Sequence, residues 1–361
     1  MVPLRGLSAL AMESAARASQ APCLIWPVQG RFALPSGTLA MGALREAGVL
    51  VELLYAPPDH PASITRIRCV VRAARAYARL RRSRVGVIGG LFPNLVSCRY
   101  DPLTLSAKLG ITFLPISFAE VRAALQDTSR REIEQRRETI TSAYATNSAD
   151  ATVLEAGVRL HLALQQLAGE HALDAFAAEC WTGFPAEVGL NPCLGFVEDS
   201  YTLACEGDAM LCASLLIVRY LTGAHAYVGD VYDVDLEGTL TLVHCGGPAS
   251  LATVRSDVVL AQSQAALERG FATLTCRPRL ATGPVTVFRL YGRDCSKMHF
   301  ALAELSSSEP SPDLTVKVRL SGDRWGFLEQ CLGNHYVVVA GDIRDELRLL
   351  SAWLGITLFE T

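Results

Sequence analysis

The sequence has no excess of positive charge: 33 lysines and arginines face 36 acids, a formal net charge of −3. A surface built to hold nucleic acid or anionic lipid needs a basic stripe, so neither partner is expected. Uninterrupted runs of the roughly 18 apolar residues that cross a bilayer are missing too. The richest stretch, Ala209 to Leu221, is broken by Arg219, so no membrane anchor is expected. The 11 cysteines include no C-x-x-C pair, and their number is odd. That disfavours a disulfide scaffold or a zinc knuckle. Reduced thiols in apolar stretches, such as Cys69, Cys205, Cys212 and Cys245, fit a cytoplasmic chain better. Gly86 to Gly90 (G-V-I-G-G) follows a strand pattern but lacks the G-x-G-x-x-G spacing, so it predicts a tight turn beside a pocket rather than a dinucleotide loop. There is no internal repeat. Met1 to Pro22 has the Ala, Ser and Arg of a transit peptide, yet carries Glu13 and no apolar core segment. A leader helix or a frayed end is the plainer expectation.

What is present is apolar material. Half of the 361 residues are hydrophobic and 19% are charged, enough to bury the cores of two or three domains. Cys23 to Val28 reads as a strand, Gln29 to Gly37 as a loop, and the next residues to Ala47 as an amphipathic helix. Val49 to Tyr55 is a second strand and Ile64 to Leu80 a long helix, which together open an α/β layer. A second α/β unit follows. Its strands are Arg84 to Ile88, Ile111 to Ile116 and Asp174 to Cys180. Its helices are Asp101 to Leu109, one from Phe118, then Thr128 to Arg137, Ala151 to Ala168 and Ala209 to Leu221. Past Leu221 the pattern alternates with the period of strands: Ala226 to Val231, Thr239 to His244, Val285 to Leu290, Phe300 to Leu305 and Leu314 to Leu320. A hairpin turns at Glu237-Gly238, Ser306 to Asp313 reads as a loop, and a helix (Ile343 to Leu354) and a strand (Ile356 to Glu360) close the chain. The expected fold class is α/β: two Rossmann-like α/β units followed by an antiparallel, β-barrel-like C-terminal domain. The expected domains are 1–82, 83–222 carrying Glu206, and 223–361 carrying Asp230 and His335.

Several residues are costly where they stand. Glu206 and Asp208, in A-C-E-G-D, begin a strongly apolar helix. Helix-start acids answer the macrodipole, but a carboxylate between Cys205 and a half-buried strand needs a cation or hydrogen bonds as well. Asp230, Asp233 and Asp235 lie in a strand, where aspartate is disfavoured. Turn chemistry accounts for Asp235 but not for Asp230. Strict alternation puts Asp230, Tyr232 and Val234 on one face. His335, in G-N-H, starts an apolar strand, and His244 ends another. Each histidine alone reads as a structural residue. Two carboxylates with one or two imidazoles would make an open site for Mn²⁺, Mg²⁺, Co²⁺ or Fe²⁺.

At these residues the sequence resembles the L-fucose isomerase family, with the L-arabinose isomerases as more distant relatives. The matching features run in one order: Val85 to Gly90, Leu109-Gly110, Ile116 to Val121, A-C-E-G-D, the helix ending Leu221-Thr222-Gly223, and Gly229-Asp230. They continue with Val285 to Leu290, Ala301 to Leu305, Gly333-Asn334-His335 and the helix ending Leu354-Gly355-Ile356. The two acids are 24 residues apart, the family's interval. The resemblance implies Glu206, Asp230 and His335 as metal ligands, Mn²⁺ or a similar ion as cofactor, and Asn334 as a substrate contact. His244 is implied only by the arabinose isomerases. The chain is shorter than the fucose isomerases, chiefly in loops that shape the sugar pocket.

The implied activity is a metal-dependent aldose–ketose isomerisation of a pentose or deoxyhexose through a cis-enediol. Glu206 and Asp230 are the candidates for proton transfer. Trp181, Arg31 and the loop Leu91 to Cys98 are expected at the pocket wall. The implied assembly is a homo-oligomer, a trimer or hexamer with sites between subunits. A metal-dependent sugar lyase or epimerase, or a non-catalytic sugar-binding relative, would use the same residues.

Overall fold

The computed structural model describes residues 13–16, 18, 21–27, 30–146, 150–197, 200–310 and 312–361. Most of the expected leader, together with Val28 and Gln29, lies outside them. Two compact units emerge, one of Met1–Arg79 with Asp345–Gly355 and one of Leu80–Arg344 with Ile356–Thr361.

In the first unit, β1 (Cys23–Ile25) pairs in parallel with β2 (Val51–Leu53). The crossover between them is the helix Ala33–Glu46. It starts four residues before the expected end of the Gln29–Gly37 loop, because Phe32 takes a left-handed φ of 74° and turns the chain into the helix at once. Ile25, Ala40, Leu44 and Val51 form the small core. The helix Pro61–Leu80 and the chain-closing helix Arg344–Leu354 meet through an edge-on contact of Tyr77 with Trp353.

The second unit begins with a parallel sheet of β3 (Arg84–Ile88), β4 (Thr112–Ile116), β5 (Ala175–Ala178) and β6 (Thr202–Ala204), in the order β4-β3-β5-β6. Every residue of β5 and β6 is buried, as parallel strands between helical layers require. Capping boxes at Ser117/Glu120 and Ser129/Glu132 start two of the covering helices, Phe118–Asp127 and Arg130–Ala143, and satisfy their orphan amides. Asp150 caps the long helix Ala151–Glu170.

The antiparallel part contains β7 (Tyr227–Val234), β8 (Thr239–His244), β9 (Val258–Gln262), β10 (Leu274–Pro278), β11 (Gly283–Tyr291), β12 (Lys297–Glu309), β13 (Leu314–Leu320), β14 (His335–Ala340) and β15 (Thr357–Glu360). Six of these close into a barrel, β11-β14-β7-β8-β13-β12 and back to β11, with β15 added in parallel to β12. Closure leaves no unpaired edge among the six. Tyr227, Leu240, Leu242, Val285, Val287, Val316, Val318, Tyr336 and Val338 fill its interior. The β9–β10 pair is a separate ribbon. The buried helix Ala209–Thr222 bridges the two layers, touching β5 and β6 on one side and β11 and β14 on the other.

Two strand readings need correction. Ser306 to Glu309 is not loop but the end of β12: the Ser308 hydroxyl accepts from the Leu280 amide at 2.8 Å, so a polar run is satisfied inside the sheet. In β7 a bulge at Tyr232 breaks the alternation, pairing Val231 with Leu242 and Asp233 with Thr241. Val231 and Val234 therefore share the inward face, and Asp230 does not share a face with Val234.

No helix of the described residues is long and apolar enough to cross a membrane. All 11 cysteines are free thiols.

Candidate functional site

Three strands of the parallel sheet deliver loops to one place. β3 runs into Gly89-Gly90, β5 into Glu179 to Trp181, and β6 into the single 3₁₀ turn Cys205–Gly207. The carboxyl ends of parallel strands are where α/β sheets bind ligands. Glu206 sits in that last turn at φ 59°, a left-handed conformation for a residue with a side chain. Gly207 follows at φ 71°, and a Cβ there would lie 1.7 Å from the Gly90 carbonyl oxygen, so only glycine lets the two loops touch. The Glu206 amide lies 3.3 Å from Cys180 Sγ, and its carbonyl accepts from Phe92 N at 2.9 Å. A strained turn tied on both sides points the carboxylate at the barrel.

The barrel answers with β7 and β14. Asp230 and His335 are direct partners in that ladder, on the face opposite to the one carrying Tyr227, Tyr336 and Val338. His335 is fully buried, Glu206 is 14% exposed and Asp230 is 37% exposed. His335 Nε2 lies 3.8 Å from Glu206 Oε1 and 3.6 Å from Asp230 Oδ1. Both distances are too long for a hydrogen bond, and Nε2 is a buried nitrogen with no hydrogen-bond partner among the described residues. One donor atom each from Glu206, His244 and His335 lies within 4.8 Å of the others. Asn334 Nδ2 donates to Asp230 Oδ1 at 2.6 Å.

This donor set fits a divalent ion. The 3.6 and 3.8 Å separations are too long for hydrogen bonds yet short enough for His335 to share one small ion with either carboxylate. The orphaned Nε2 would gain the partner it lacks. The donors are carboxylate oxygens and imidazole nitrogens rather than the thiolates of most structural zinc sites.

Behind His335 lies a buried array that sequence reasoning missed. Asp208 Oδ2 is 3.1 Å from His335 Nδ1 and 3.4 Å from Arg289 Nη2. Arg289 Nη1 donates to the His335 carbonyl at 2.7 Å, and Nη2 reaches Cys98 Sγ at 3.1 Å. Burial pushes the Asp208 carboxyl up, but the Arg289 guanidinium and the His335 ring outweigh it and hold the group below the usual carboxylate range. Burial likewise opposes a charged His335; the hydrogen bond to Asp208, with contacts to Cys98 and Glu206, holds its pKa well above the ordinary value. His244 is also held above its ordinary value, against burial, by Cys245 and then Asp230. The signal for the array was an arginine inside the apolar strand Val285 to Leu290, which must find an acid when buried.

Trp181 is half-buried near the same turn. Its ring lies 5.9 Å from Phe92, and the Arg269 guanidinium stacks 4.0 Å from its centre. Arg31 belongs to the first unit, where it is exposed and stacks on Phe32.

No protein-family model matches the chain. It is similar along most of its length to three enzymes named sulfoquinovose isomerase. Those of Priestia megaterium (strain ATCC 12872 / QMB1551) and Priestia aryabhattai are 25% identical over 363 residues, 93% of this chain and 79% of theirs. That of Clostridium sp. (strain MSTE9) is 25% identical over 362 residues, with the same coverage. The similarity indicates an enzyme of the aldose–ketose isomerase class, an intramolecular oxidoreductase.

Proposed function

We propose that the chain is a divalent-metal-dependent isomerase of the L-fucose isomerase type, converting an aldose to its 2-ketose through a cis-enediol. The observation that carries this reading is the buried Nε2 of His335, which faces two carboxylates and has no hydrogen-bond partner among the described residues. Glu206, Asp230 and His335, with His244 beside them, would hold the ion. When bound, Mn²⁺ or a similar ion acts as a Lewis acid toward neighbouring sugar oxygens and eases loss of the C2 proton.

The chain's own groups do the rest. A carboxylate oxygen of Glu206 or Asp230 takes the proton from C2 and returns it to C1, while the hydroxyl proton passes from O2 to O1. Asn334 holds Asp230 Oδ1, which limits how that carboxylate can turn. Trp181, stiffened by Phe92 and Arg269, offers an apolar face to sugar C–H groups. The substrate class is a pentose or a deoxyhexose. Sulfoquinovose, the sugar in the relatives' names, is itself a 6-deoxyhexose bearing a sulfonate. A homo-oligomer, trimer or hexamer, completes the reading.

The test is turnover of L-fucose, L-arabinose and sulfoquinovose in D₂O, followed by NMR, before and after chelation and Mn²⁺ return. A ketose of unchanged carbon count, with deuterium at C1, is expected. Glu206→Gln and Asp230→Asn should each lose about 10²- to 10⁴-fold in kcat. Full activity in either variant, indifference to chelation, or products of cleavage or epimerisation alone would overturn the reading.

A further inference from the structure

We propose that Asp208 is a positioning residue that fixes the tautomer of His335, placing the ring proton on Nδ1 and the lone pair of Nε2 toward the ion. The inference rests on the metal-binding reading above and concerns how the buried half of the site makes it possible.

The two oxygens of Asp208 have separate tasks. Oδ1 accepts from the Leu211 amide at 2.9 Å as the cap of the helix Ala209–Thr222. Oδ2 faces His335 Nδ1 at 3.1 Å and Arg289 Nη2 at 3.4 Å. Asp208 and His335 are 0% exposed and Arg289 is 1% exposed. Arg289 is fixed in turn by its bonds to the His335 carbonyl and Cys98 Sγ. A carboxylate oxygen set between a guanidinium and a ring nitrogen can only accept. Nδ1 must then carry the hydrogen, and Nε2 of the neutral ring is left bare. Orientation of a ligating imidazole by a hydrogen bond at its other nitrogen is the general device for such sites.

Asp208→Asn tests this because the cap decides which way the amide lies. Its nitrogen cannot accept from the Leu211 amide, so the amide oxygen stays at the Oδ1 position. The NH₂ group then faces Nδ1 and Arg289. It can only donate to Nδ1, which moves the ring proton to Nε2, where the ion should be. An aspartate-to-asparagine change behind a catalytic histidine inverts the tautomer in the same manner in serine proteases.

The experiment titrates chelator-treated, full-length wild type and Asp208→Asn with Mn²⁺ and counts free ion by EPR. It also records ring ¹H–¹⁵N spectra of the Zn²⁺-loaded wild type and thermal melts of both proteins. The expected result is one tight Mn²⁺ per wild-type chain, an Nδ1–H proton on His335, and a 10- to 100-fold weaker affinity in a variant that still melts cooperatively. Unchanged affinity in the variant, or an unprotonated Nδ1 in the wild type, would overturn the assignment. The wild-type spectrum decides even if the variant does not fold. No Mn²⁺ uptake by the wild type would instead overturn the metal reading, and this assignment with it.

Discussion

Arg289→Met removes the only arginine bonded to Asp208 among the described residues while keeping an unbranched side chain in the barrel wall. The guanidinium lies 3.4 Å from Asp208 Oδ2, and the two side chains are 1% and 0% exposed. At an effective dielectric constant of about 20, two charges at this distance attract by about 5 kcal/mol. Truncation also leaves the His335 carbonyl and Cys98 Sγ without their donors, at a cost of about 1 kcal/mol or more for the carbonyl. Against this, Asp208 keeps the Leu211 amide and the His335 ring. Breaking one side of a buried pair costs about 3 to 5 kcal/mol, and the working value here falls in that range.

The assay is urea unfolding of chelator-treated protein at neutral pH, so that ion binding does not mask the change. The midpoint should fall with the slope unchanged. A melt should drop by about 2 to 4 °C per kcal/mol, hence by roughly 6 to 20 °C. The Asp208→Asn/Arg289→Met double variant buries neither charge, so it should recover about 3 kcal/mol relative to the sum of the single changes. A single variant within about 1 kcal/mol of wild type, or strict additivity in the cycle, would refute the account of Arg289 as the counter-charge.

Gly207→Ala should lower stability by about 1 to 3 kcal/mol and kcat by roughly 100-fold, because its Cβ meets the Gly90 carbonyl and displaces Glu206; wild-type kcat in a folded variant would count against this. His299 is neutral in the fold: burial pushes its pKa down to about 4, and it bonds Tyr336 OH and Thr361 Oγ1. Between pH 6.5 and 4 the unfolded chain binds a proton that the native chain refuses, so stability falls as pH falls, by about 3 kcal/mol across the window. The difference between wild type and His299→Gln in urea midpoints, taken from pH 7.5 to 4.5, should trace that loss; a flat difference would exclude His299 as its source.

How far the sequence could be read follows from the range of the forces involved. Period-two alternation announces β8, β11 and β13, because one face of each strand must meet the barrel core. The bulge at Tyr232 was not visible, since it is set by register against β8 rather than by β7 itself. The β9–β10 ribbon was missed for a related reason: each segment is only five residues long, and β9 does not alternate. Among the site residues, Glu206 and Asp230 stood out because a carboxylate in apolar surroundings needs a reason, whereas His335 alone reads as structural and was singled out only by the family resemblance. Their separations could not be derived, as they depend on a turn after β6 reaching a strand pair of the barrel.

Asp208 shows why the buried half of the site escaped notice. As a helix-start acid it is explained locally and in full by the Leu211 amide, so nothing in its neighbourhood asks for more. Its second oxygen serves His335, 127 residues away, and Arg289, 81 residues away. A residue with one local and one distant task is read by the local one. The distant partner was the better signal. Arg289 stands in Val285 to Leu290 among residues that are all buried, and no local cap or turn excuses it. A buried cation obliges a buried anion; in this unit that anion is the one whose other neighbour is the imidazole facing Glu206 and Asp230. The inconvenient charge in an apolar strand is thus the sequence feature from which the support of the site could have been inferred.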